Sequence, residues 1–104
     1  MKEIRIGIER LVDSELQRAI QEYPLFASDH EAESVIREEI EESAEDTEQI
    51  EEQYYELWSA VRADDEEAAY EAANRIKHYA IYAAAELVQV AAMADKLVVS
   101  QKAR

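Results

Sequence analysis

The apolar positions of the chain fall on helical rather than strand spacing. From Ile8 onward Val12, Leu16, Ala19, Ile20 and Tyr23 lie on one stripe of a helix. Pro24 stops it, because the residue before a proline avoids the α region. Residues 1 to 8 are ambiguous. Ile4, Ile6 and Ile8 alternate like a strand, but Gly7 sits among them and no partner strand follows. The first helix is therefore placed at about residues 8–23. Leu25 and Phe26, in the short connection after it, are expected to tuck beneath the next helix. Ser28 with Glu31 three residues on makes a capping-box pattern, which opens a second helix at about 29–63. Its expected seam is Ile36, Ile40, Ser43, Thr47, Ile50, Tyr54, Leu57 and Val61, stepping alternately by four and three. Asp64 or Asp65 then caps a third helix at about 65–100. Its expected seam is Ala69, Ala73, Ile76, Ala80, Ala83, Leu87, Val90, Ala94 and Leu97.

With short connections and small seam residues, the second and third helices are expected to form a long antiparallel hairpin. The shorter first helix packs beside it. One Gly and one Pro in 104 residues leave little turn material for strands. The expected class is all-α, in a single domain spanning 1–104.

The third helix holds the most informative stretch. Between Tyr79 and Ala94 every residue is apolar or aromatic except Glu86 and Gln89, three residues apart and so on one face. A carboxylate in apolar surroundings costs several kcal/mol unless a cation or donor compensates it. In a hairpin turning near residues 64 and 65, facing positions sum to about 129, which brings residues 40 to 43 level with Glu86 and Gln89. Glu38, Glu39 and Glu42 cluster there. Carboxylates at one level repel unless a cation sits between them, and all-oxygen ligands select a hard ion such as Mg²⁺ or Mn²⁺. A solvated acidic face, with Glu86 reaching a tyrosine hydroxyl or a lysine, is the other reading of these residues. His30 and His78 fall near or beyond the helix ends, which disfavours a His-rich zinc site.

Charge narrows the partners. The net charge is −14, with 25 acidic residues against 11 basic ones. No basic stripe exists to displace counterions from a nucleic-acid backbone, so no nucleic-acid partner is expected. The chain has no cysteine, which suits a reducing compartment. Its first residues lack the apolar core of a signal peptide, and Glu86 and Gln89 interrupt the longest apolar run. A cytoplasmic protein without a membrane partner is expected. The stretch from Ala80 to Ala94 is apolar around most of its circumference, more than one helix and a half can cover. A homodimer completing a four-helix bundle, or a dimer of dimers, is therefore expected.

The run EEIEE at 38–42 fits the EExxE motif of the MazG-like all-α nucleoside-triphosphate pyrophosphohydrolases. ELVQVAAMADK at 86–96 resembles that family's second metal helix, which carries ExxD. FASDHEAESVIREEIEE at 26–42 resembles the entry into the first metal helix of short phage-type members. The likeness covers about residues 16–98. It implies hydrolysis of a nucleoside triphosphate to the monophosphate and pyrophosphate, with the motif acids holding Mg²⁺ on a helical dimer. Carried over, Glu38, Glu39 and Glu42 match EExxE and Glu86 opens ExxD, with Glu38 and Glu39 as the catalytic acids. Gln89 stands where the family has Asp, so it can offer only an uncharged amide oxygen as a metal ligand. The interval between Glu42 and Glu86 also exceeds the family's usual one. Tyr82 and Lys96 lie on the same row as Glu86 and are candidate contacts to the base and a phosphate. Packing for Tyr82 and a salt bridge near Glu33 for Lys96 are the structural alternatives. Trp58 is expected to serve packing or an interface. The competing function is a non-catalytic helical interaction protein on the same scaffold, its metal site degraded at Gln89.

Overall fold

The computed structural model describes residues 1–104 and is all-α. α1 spans Lys2–Glu22, α2 spans Asp29–Arg62 and α3 spans Glu66–Ala103, with no strand. No helix is long and apolar enough to cross a membrane.

α1 starts at Lys2, well ahead of the expected Ile8. The alternating isoleucines find no partner strand, so the helix propagates back through them at one hydrogen bond per residue. Ile4 and Ile8 remain exposed, and a Cβ on Gly7 would meet nothing within 4 Å. At the other end Tyr23 turns extended (φ −133°, ψ 148°) ahead of Pro24, and its N–H donates to the Ala19 carbonyl at 2.9 Å. Phe26 in the connection is buried. Its N–H donates to Ser100 Oγ at 2.9 Å, and that hydroxyl donates to the Lys96 carbonyl at 2.7 Å. The capping pattern at α2 forms: the Glu31 N–H donates to Ser28 Oγ at 3.1 Å. The Glu31 carboxylate accepts from the Ala27 N–H at 3.3 Å.

The α2–α3 connection is a Schellman turn. The Asp64 N–H donates to the Val61 carbonyl at 3.1 Å and the Asp65 N–H to the Ala60 carbonyl at 2.9 Å. Asp64 takes φ 54°, the left-handed position that glycine usually fills. Asp65 is the cap, accepting from the Ala68 N–H at 3.0 Å.

Contacts divide the chain into two units, Met1–Ile40 with Glu86–Arg104, and Glu41–Ala85. The first has a core of Ala19, Phe26, Ala32, Ala92 and Met93, with Val12, Val35, Ile36 and Leu97 packed against it. Asp29 at the start of α2 closes that unit's end, accepting from Arg104 at 2.8 Å and from Gln101 at 3.2 Å. The second unit is a helical hairpin whose buried residues are small: Ser43, Ala60, Ala72 and Ala83. Arg75 donates to Gln53 at 2.6 Å across it.

Half of each expected seam is displaced by one residue. Along α2 the inward positions are Ile36, Glu39, Ser43, Asp46, Ile50, Gln53, Leu57 and Ala60, whereas Ile40, Tyr54 and Val61 are exposed. Along α3 they include Ala69, Ala72, Ile76, Tyr79, Ala83, Glu86, Val90, Met93 and Leu97, and Leu87 is exposed. Within the hairpin the small residues decide the phase. Closely approaching backbones admit Ser43, Ala60, Ala72 and Ala83 but have no room for Tyr54 or Val61. The same phase turns Glu39 and Glu86 inward.

Candidate metal centre and the adjoining cavity

Glu39 and Glu42 stand one turn apart on α2, and Glu86 projects from α3. One carboxylate oxygen from each lies within 4.8 Å of the other two. Glu39 and Glu86 are half-buried and Glu42 is exposed. Three carboxylates at this spacing offer an all-oxygen donor set that fits a hard divalent cation and no soft one.

The other expected members lie elsewhere. Glu38 is exposed and outside the group. Gln89 is half-buried, and its amide nitrogen donates to Glu15 of α1 at 2.6 Å. Its amide nitrogen is therefore committed to α1. Glu15 also accepts from the Arg18 guanidinium, whose Nε is 2.9 Å away, and Arg18 in turn pairs with Glu22 at 2.6 Å. The Arg18 hydrogen bond, followed by that from Gln89, holds the Glu15 carboxyl below the usual carboxylate range, against a smaller opposing effect of burial. Arg18 is held above its ordinary value by the same bond to Glu15.

Tyr82 belongs to the hairpin unit, is exposed, and faces His78 with ring centroids 6.3 Å apart. Lys96 belongs to the first unit and is 5% exposed. No ion pair with Glu33 forms, since Glu33 pairs with Arg37 at 3.7 Å and Lys96 takes part in no salt bridge. Its ammonium lies instead over the Phe26 ring, 4.5 Å from the centroid, with the Tyr23 ring at 6.0 Å. Around it opens a cavity of about 410 Å³, contained in the first unit and bordered by Gln89, Glu39, Val35 and Met93 among others. Glu39 thus belongs both to this cavity and to the carboxylate group.

Sequence reasoning missed Glu15 and the cavity. A signal for Glu15 was present: it precedes Leu16 on the buried side of α1, a costly place for a carboxylate without donors. The cavity had none, because it depends on how Tyr23 and Phe26 are folded back by the connection. Comparison with protein-family models, with curated proteins and with solved structures finds no match to the chain.

Proposed function

We propose that the protein is a Mg²⁺- or Mn²⁺-dependent nucleoside-triphosphate pyrophosphohydrolase of MazG-like type. The observation that carries this reading is the convergence of Glu39, Glu42 and Glu86. A divalent cation bound there would neutralise phosphate oxygens and lower the pKa of bound water. The chain's own part is to hold that charge and to position the nucleotide. Glu39 and Glu86 face inward, whereas Glu42 is exposed. Glu38 completes the sequence motif, and in this reading it acts through solvent at the rim. Lys96 supplies the one buried cation beside Glu39, suited to a phosphate. Tyr82, exposed on α3, is the candidate stacking surface for a base.

A homodimer in a cytoplasmic setting belongs to the same reading. Ile40, Tyr54, Trp58, Val61, Ile81 and Leu87 expose apolar surface on the two long helices, and a second copy is what the expected four-helix bundle would place there.

A second reading rests on Gln89. With that side chain bound to Glu15, the motif's last acid is replaced by a structural amide, as in a scaffold that has kept the helices and lost turnover. Calorimetric titration with Mg²⁺ and Mn²⁺, with and without a non-hydrolysable deoxynucleoside triphosphate, separates the two. The enzyme reading expects metal binding that disappears in Glu86→Ala, together with pyrophosphate release from at least one nucleoside triphosphate. Metal binding without pyrophosphate release favours the scaffold. Absence of metal binding at about 10 mM, weaker than a functional cation site, removes the enzyme reading altogether.

A further inference from the structure

Lys96 is the most unusual residue of the first unit. The residue is 5% exposed, and its ammonium reaches the cavity between the Phe26 and Tyr23 rings. No salt bridge pairs it. The other polar groups on the wall are Arg18, bound by Glu15 and Glu22, the Gln89 amide, which donates to Glu15, and the Glu31 and Glu39 carboxylates. The Lys96 ammonium is the cation of this wall that no carboxylate pairs with, set among Phe26, Val35 and Met93. The wall is also held in place. Ser100 ties the Phe26 N–H to the Lys96 carbonyl, so the ring and the lysine backbone are linked by two hydrogen bonds through one buried hydroxyl.

We infer that this cavity is a binding site for a small organic anion, with the charged head (a carboxylate or phosphate monoester) at Lys96 and an apolar body against Val35, Met93 and Phe26. Its volume lies in the range of ordinary small-molecule sites. The anion replaces water at the ammonium, and a charge-assisted bond against an apolar wall is stronger than one at the surface. The inference shares Lys96 with the pyrophosphohydrolase reading but needs no metal, so binding measured without a cation tests it apart from the carboxylate group.

The test is calorimetry in excess EDTA on the full chain, with phenyl phosphate and phenylacetate as probes that share a body and differ in the head. Inorganic phosphate is the control. One or both phenyl probes should bind at one site with a Kd of about 1 mM or tighter. The stronger of the two identifies the natural head group. Inorganic phosphate should bind at least about tenfold more weakly, because it leaves the apolar wall unused. Lys96→Met keeps the buried stem and removes the charge. It should weaken the phenyl probe at least about tenfold, while its own melting temperature without ligand stays level or rises, as expected when an uncompensated buried charge is removed. Three results would each overturn the inference: neither phenyl probe binds, inorganic phosphate binds as well as they do, or Lys96→Met melts lower or loses its helical circular-dichroism signal. The last would make Lys96 a residue of the fold and nothing more.

Discussion

Gln89 shows how one side chain can redirect a site. Its amide donates to Glu15 at 2.6 Å, and together with Arg18 it keeps that carboxyl ionised below the usual range. A carboxylate at position 89 would restore the family motif but would face Glu15 with like charge. Gln89→Asp is therefore expected to destabilise the protein by about 1–3 kcal/mol at neutral pH. The pH dependence has a definite sign. The folded Glu15 is depressed, so its contribution to stability is present above the unfolded value of about 4.3 and is lost as pH falls through the lower folded value. The gap between wild type and Gln89→Asp should accordingly be widest above about pH 4.3 and shrink below it as the facing carboxyls take up protons. Urea denaturation at neutral and acidic pH measures this. A gap that is constant with pH would show that Glu15 does not sense position 89.

At the scale of the elements, the α2–α3 turn is held by an Asp in a glycine's conformation. Asp64 at φ 54° carries a Cβ that the left-handed region disfavours by about 1–2 kcal/mol. The two Schellman bonds and the Asp65 cap do not involve its side chain. Asp64→Gly should raise stability by roughly 0.5–1 kcal/mol, the relief being partly offset by the freer unfolded chain. A lower denaturation midpoint would mean that the Asp64 carboxylate has a role in the turn. That this turn was legible in the sequence, with the cap narrowed to two aspartates of which Asp65 serves, reflects how local its chemistry is. Pro24, Ser28 and Glu31 were legible for the same reason. The helix seams were legible only to within one residue. Periodicity leaves open whether Glu39 or Ile40, Glu86 or Leu87, faces inward, and the apolar choice was the wrong one in both pairs. The start of α1 was misjudged because an exposed helical turn leaves no burial pattern to read. Glu39, Glu42 and Glu86 were found by counting residues from the turn, since an antiparallel hairpin converts numbering into height. The Lys96 cavity escaped because it depends on a folded-back connection, which no repeat encodes.

At the scale of the whole molecule the dominant fact is charge. The chain carries −14, and between Arg37 and Arg62 α2 has no Lys or Arg at all. Glu38, Glu41, Glu42 and Glu45 are spaced three and four apart, as are Glu48, Glu51, Glu52 and Glu56. Each such like-charge pair costs roughly 0.2–0.5 kcal/mol on a helix. Against them stand surface ion pairs such as Arg5–Glu9 and Arg104–Asp29, and exposed pairs are worth about 0–1 kcal/mol each. Repulsion is the more numerous effect, and both are screened by salt. The Debye length falls from about 30 Å at 0.01 M to about 8 Å at 0.15 M, which weakens repulsion between neighbouring turns far more than contacts at hydrogen-bond distance. The melting temperature is therefore expected to rise steadily over that range of NaCl. Mg²⁺ at matched ionic strength should raise it further only if Glu39, Glu42 and Glu86 take up the ion, and that excess should vanish in Glu86→Ala. A melting temperature that falls with NaCl would mean that the ion pairs outweigh the repulsion. An excess from Mg²⁺ that survives Glu86→Ala would locate the cation elsewhere on the acidic face of α2.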